Sequence, residues 1–252
     1  MTKLFTDHQE RWMTGIVLLA VVGFIGWIDN FFIMWGFLGI IYVFAFYEAM
    51  QLFRLTGPSM YFWALLLWIF AYFYPNPDDL FFLFMIMFAG TLAYTHNFNP
   101  KLMLPFFYPV SGILFFLILY QDFGIVAMGW LLVTVAMTDM GAFFVGKMIG
   151  KHKFCDTSPN KTIEGVLGGI AFATIFGTLV GLYVTPLWVS IFVTLFTAIS
   201  SIFGDLFESY LKREAGVKDS GDLLPGHGGI LDRIDGYLFA AIVMVITLRS
   251  FL

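Results

Sequence analysis

Cys155 is the only cysteine in this chain, so an intrachain disulfide is excluded and a structural zinc site lacks its usual ligands. Charge is scarce as well. Asp, Glu, Lys and Arg make up 12% of 252 residues, against roughly a quarter in a soluble domain. With 60% hydrophobic residues, 20% aromatic residues and a mean hydropathy of +0.87, this scarcity excludes an ordinary globular protein. The N-terminal stretch Met1 to Arg11 carries both signs of charge and lacks a small-residue cleavage site, so it reads as a retained cytoplasmic lead-in. No internal repeat and no Ser-His-Asp or Cys-His arrangement is present. The net charge of -4 sits mostly in loops, and no nucleic-acid partner is expected.

What the chain does have is long, continuous apolar runs, which point to membrane helices and not to the short alternating segments of a barrel. At about 20 residues per span, the runs 13–28, 31–50, 60–74, 80–95, 103–120, 125–145, 163–184, 186–204 and 236–252 predict an all-α polytopic membrane protein of about nine transmembrane helices. The first two are two spans or one re-entrant hairpin, and the chain returns to the same side either way. With the N-terminus inside, inner loops collect Lys3, Arg11, Arg54, Lys101, Lys147, Lys151, Lys153, Lys161, Lys212, Arg213, Lys218 and Arg233. Outer loops collect only Arg249, so twelve of the thirteen basic residues fall on one side. That is the positive-inside pattern, and it puts 147–162 and 205–235 at the cytoplasmic face. Composition also shifts along the chain: 1–135 reads as a multi-span scaffold and 136–252 as the catalytic region.

The stretch from Gly204 to Gly236 is the exception to the scarcity of charge. It holds seven acids and four bases, 11 of the chain's 30 charged residues. Charge this dense beside a span is costly unless it holds ions or a charged substrate, so an active site is expected here. A helix continuing through 205–213 places Asp205, Ser209 and Lys212 on one face, with Glu208 adjacent. Pro225-Gly226-His227-Gly228-Gly229 is too glycine-rich for helix, and Gly226, Gly228 and Gly229 suit an anion-cradling turn feeding a helix start near Leu231. Asp232 and Asp235 follow on one face of that helix.

Carboxylates beside an anion site call for a cation between them and phosphates. Mg²⁺ is the fitting ion, since it takes one or two carboxylates plus substrate phosphates. Asp205, Asp232 and Asp235 are the candidate ligands, while Lys212, Arg213, Lys218 and His227 would neutralise phosphate oxygens. The competing interpretation is a solvated loop whose acids cap a helix. A second cluster runs from Asp139 to Gly165. Ser158, Lys161 and Thr162 offer two hydroxyls and an ammonium for a nucleotide phosphate. Gly146 and Gly150 are spaced for close helix contact. Lys147, Lys151 and Lys153 read as topology anchors or an attraction for anionic headgroups.

These residues also form a pattern. Ser209 through Arg213, Lys218-Asp219 and Leu224 through Asp235 resemble, across 27 positions, the signature of the phosphatidate cytidylyltransferase (CDP-diacylglycerol synthase) family. SPNKTIEG at 158–165 and SSIFGDLFES at 200–209 resemble that family's preceding motifs. The match of Thr138 to Phe143 is looser, with Met140 in place of a small hydroxyl and Phe143 in place of a tyrosine. The resemblance implies that CTP and phosphatidate give CDP-diacylglycerol and diphosphate. It implies a Mg²⁺ site on Asp205, Asp232 and Asp235, with room for a second cation. The expected setting is a bacterial cytoplasmic (inner) membrane with the site facing the cytoplasm, and a homodimer is allowed. The alternatives are a CTP-dependent lipid kinase of related architecture and a transporter.

Overall fold

A computed structural model describes residues 2–96, 99–223 and 228–252, and only the backbone for 2–14. Regular structure among the described residues is helical, apart from one bridge between Lys153 and Thr162. In order, the helices are α1 (Thr2–Ile28), α2 (Phe31–Leu52), α3 (Pro58–Phe73), α4 (Pro77–Thr95), α5 (Ser111–Ile149), α6 (Ile163–Gly181), α7 (Leu187–Ala215) and α8 (Leu231–Phe251). Short 3₁₀ and π turns (Pro100–Met103 and Phe106–Val110) lead into α5. Several starts are set locally. Asn30 caps α2 by accepting the Ile33 amide at 3.2 Å, and Thr162 caps α6 by accepting the Gly165 amide at 3.1 Å. Pro58 and Pro77 open α3 and α4, where a missing N–H costs nothing.

Among the described residues, six helices are long and apolar enough to cross a membrane by length and composition, counting Pro100–Ile149 as one, and Gly15–Ile28 and Pro58–Phe73 are shorter apolar helices. The chain is thus an integral membrane protein of helices. The runs 103–120 and 125–145, expected as separate spans, lie in that single helical stretch. At 1.5 Å per residue its 50 residues would reach about 75 Å, over twice the hydrocarbon thickness, if it were straight. It is not straight: Gly124, at φ 76° and ψ -174°, leaves helical geometry. Gly112 lies against Leu238 and Val135 against Gly236, whereas Asp122 meets Arg249 at the far end of α8. The two arms therefore run antiparallel about Gly124, a conformation that favours glycine. Past the apolar run 186–204, α7 continues to Ala215, because charged residues at a helix end do not stop a helix.

The core is largely aromatic and aliphatic, with Trp130, Tyr42, Phe46 and Phe106 among its fully buried side chains. Gly146 and Gly150 do mark a close contact: a Cβ on Gly146 would stand 3.5 Å from Gly165 Cα, and one on Gly150 2.7 Å from Thr162 Oγ1. The helix α2 spans the bundle, since Asp29 just before it accepts from the Tyr120 hydroxyl at one end and Glu48 reaches the opposite end.

The bundle is polarised. One end gathers Glu48, Arg54, Lys161, Asp205, Lys212 and Asp232. The other holds Arg249, which donates to Asp78 at 2.6 Å and to Asp122 at 3.0 Å. These three side chains are 21–35% exposed, so the network contributes at most about 1 kcal/mol per pair. Arg249→Gln is accordingly expected to lower the melting temperature in detergent by only a few degrees. Its turnover should stay within twofold of wild type, and a larger loss would show that this end takes part in the reaction.

Candidate active site

Two glycines bring the acidic segments of α7 and α8 together. A Cβ on Gly204 would stand 2.6 Å from the Asp235 carbonyl oxygen and 3.1 Å from Gly236 Cα. The helices cross there in near backbone contact, which only glycine permits. Each glycine adjoins an aspartate, Asp205 on α7 and Asp235 on α8, so the crossing sets the spacing of the acids.

Lys212 joins the two helices. Its Nζ donates to Glu208 Oε2 at 2.6 Å and to Asp232 Oδ1 at 2.7 Å. The Glu208 side chain has no exposed surface, that of Asp232 is 8% exposed and that of Lys212 14%. Ion pairs this sheltered hold only when the remaining lone pairs are satisfied. For Asp232 they are: Oδ2 accepts from the Ser220 amide at 2.8 Å, the Ser220 hydroxyl at 2.9 Å and the Gly229 amide at 2.8 Å.

At the glycine turn, the Gly229 amide is taken by Asp232. Gly228 has φ 79°, and a Cβ on it would stand 2.8 Å from Asp232 Oδ2. Gly226 and His227 lie outside the described residues. The anion at the start of α8 is also internal. Glu48, near the end of α2 and 1% exposed, accepts the Ile230 amide at 2.9 Å and the Leu231 amide at 2.8 Å. Sequence reasoning overlooked Glu48, although an acid closing an apolar run was a signal, because such a group is costly without a partner.

Lys161 forms an ion pair with Asp205, joining the 150–162 loop to α7. Ser209 donates to Asp205 across one helical turn at 3.4 Å, a long contact that keeps both on the expected face. The loop itself is held by Glu164, which accepts the Lys151 and His152 amides at 3.1 and 3.2 Å and contacts the His152 ring at 2.6 Å. The Thr162 hydroxyl caps α6, and the Ser158 carbonyl accepts the Lys161 amide at 3.0 Å. Both residues thus shape the loop that presents Lys161. Arg213 and Lys218 are exposed near this end, Lys218 two residues before Ser220.

Asp235 is within electrostatic reach of Glu208, Asp205 and Asp139. Among the described residues the buried Glu208 Oε1 and the buried Tyr108 hydroxyl find no hydrogen-bond partner, and Tyr108 lies within electrostatic reach of Glu208, Asp235, Asp205 and Asp232. Carboxyl groups within such reach disfavour one another's ionisation unless a proton or a cation offsets them. Among the described residues no three acidic, His or Cys groups are gathered at metal-ligand distance. Lys161 and Lys212 instead compensate the acids. The donor set is nonetheless all oxygen, which suits a hard cation that takes one or two carboxylates and completes its shell with phosphates. Asp205, Asp232 and Asp235 are the side chains that could supply them.

Comparison with known proteins adds a separate finding. The model of the cytidylyltransferase family matches residues 9–251. A phosphatidate cytidylyltransferase of Helicobacter pylori strain J99 is 42% identical over 249 residues, covering 98% of this chain and 93% of that protein. The protein of the same name from strain 26695 is 43% identical over 243 residues, covering 95% and 91%. A phosphatidate cytidylyltransferase of Synechocystis is 46% identical over 106 residues, 41% of this chain and 36% of its own.

Proposed function

The chain belongs to the cytidylyltransferase family, and from that membership and the charged end of the bundle we propose that it is a phosphatidate cytidylyltransferase. It condenses CTP with phosphatidate to give CDP-diacylglycerol and diphosphate. The observation that carries this reading is the meeting of Lys161 from one loop with Asp205, and of Lys212 with Asp232, at a single end of a membrane bundle. Such a site can hold a polyanionic nucleotide against a lipid phosphate that is itself anionic.

The phosphatidate phosphate is ionised at neutral pH and needs no enzyme base. One of its oxygens attacks the α-phosphorus of CTP, a new P–O bond forms, and the bond to the β-phosphate breaks with diphosphate as the leaving group. Lys161 and Lys212 screen the charge of the two substrates, with Arg213, Lys218 and His227 adding to that field. Positioning supplies much of the remainder, because two mutually repelling anions must be held in line. Asp205, Asp235 and Asp232 would hold a Mg²⁺ ion, which when bound would supply charge neutralisation to the phosphates.

The same reading sets the topology. Twelve of thirteen basic residues belong to loops and helix ends assigned to the side that carries the site, so this side is the cytoplasmic face of a bacterial inner membrane. The N-terminus lies on that side too, with nine crossings once the two arms of α5 and the shorter α1 and α3 are each counted.

The test is incubation of the purified protein in detergent with phosphatidate, Mg²⁺ and CTP labelled at the α-phosphate. Label in the lipid with release of diphosphate is the expected result. Transfer of the γ-phosphate with release of CDP would identify a lipid kinase and overturn the assignment.

A further inference from the structure

The carboxylate of Glu48 lies among backbone amides that a sequence reader would assign to substrate. It belongs to the front half of the chain, yet its partners Ser220, Ile230 and Leu231 lie 172, 182 and 183 residues away. Oε1 takes the Ile230 amide. Oε2 takes the Leu231 amide at 2.8 Å and the Ser220 hydroxyl at 3.1 Å. The loop fits tightly around it: a Cβ on Gly221 would come within 2.7 Å of Oε1, and one on Gly229 within 2.6 Å of Oε2.

The Ser220 hydroxyl lies between two carboxylates, 3.1 Å from Glu48 and 2.9 Å from Asp232 Oδ2. Glu48 thereby fixes both ends of the segment that presents Asp232. It anchors Ser220 on one side and the first turn of α8 on the other. An acid at a helix start is also favoured by the helix dipole.

We propose that Glu48 is a positioning residue for the cytidylyl transfer. It clamps Ser220 and the first turn of α8 to α2, so that Asp232 meets Lys212 in the arrangement the reaction requires. The inference rests on the reaction assigned above. Glu48 touches neither substrate, and its effect passes through Ser220 and Asp232.

A glutamine at position 48 cannot replace it. One amide oxygen remains as acceptor, while the new NH₂ faces backbone and hydroxyl donors. Purified Glu48→Gln should show a kcat about 10²-fold below wild type, with KM for CTP and phosphatidate within twofold, since sub-ångström misplacement costs rate more than binding. Hydrogen–deuterium exchange of peptides covering 220–235 should rise over the wild-type rate, while α5 peptides stay protected. Ser220→Ala, which removes only the shared hydroxyl, should lower kcat about tenfold and serves if Glu48→Gln yields no folded protein.

Loss of activity only in proportion to the folded fraction would overturn the positioning role, as would unchanged exchange at 220–235. Wild-type protein inactive on CTP and phosphatidate would instead sink the assigned reaction, and the exchange comparison would still decide whether the clamp exists.

Discussion

Asp232→Asn is expected to lower turnover about 10²–10³-fold, the scale seen when a preorganised electrostatic contact is lost from an active site. The native carboxylate serves two sides at once. Oδ1 faces Lys212, and Oδ2 gathers the Ser220 amide, the Ser220 hydroxyl and the Gly229 amide. Asparagine keeps one acceptor oxygen. With that oxygen turned to the three donors, its NH₂ meets the Lys212 ammonium; turned the other way, the amide faces Ser220 and Gly229 with donors. Leaving such donors unmatched costs about 1–3 kcal/mol, which should not prevent membrane insertion. Protein in the membrane fraction at wild-type yield, with labelled product reduced by at least about 10²-fold, is therefore the expected pair of results. Turnover within tenfold of wild type would remove Asp232 from the machinery.

Much of this site can be traced to local spacing, and the rest depends on contacts that no local pattern encodes. The Asp205–Ser209 pair and the Lys212 position follow from helical periodicity once α7 is continued past the apolar run. The approach of α7 to α8 was likewise present as a glycine beside each aspartate, Gly204-Asp205 and Asp235-Gly236, although only the structure shows that the two glycines meet. Polarisation of the bundle agrees with loop charge, because the bases cluster at the end opposite Arg249.

Glu48 and Tyr108 were not legible in this way. Both sit in the front part of the chain, which composition marks as scaffold, and each reaches the acidic end through packing with segments far along the chain. At the glycine turn, the Gly229 amide has an internal partner, Asp232. A carboxylate three residues later can take a turn's N–H as readily as a phosphate can, and sequence does not say which anion comes first. The break at Gly124 falls between the apolar runs 103–120 and 125–145, expected as separate spans, and the contacts of Gly112 and Val135 with α8 show that the chain doubles back there.

The largest expected stability effect belongs to Lys212. Lys212→Met leaves Glu208, with no exposed side-chain surface, and Asp232, 8% exposed, without their shared cation. Breaking a buried pair by removing one partner typically costs about 3–5 kcal/mol. Glu208 suffers more than Asp232, because its Oε1 already lacks a donor, whereas Asp232 keeps Ser220 and Gly229. A second change, Glu208→Gln, removes the buried carboxyl left without its ammonium and should recover most of the lost melting temperature in the double variant. Turnover should not recover with it, since the ammonium that screens phosphate charge remains absent. Measuring melting and labelled lipid product on the single and double variants separates the two roles. Recovery of both together would mean that Lys212 serves the fold alone, and recovery of neither would mean that Glu208 is not the charge it compensates.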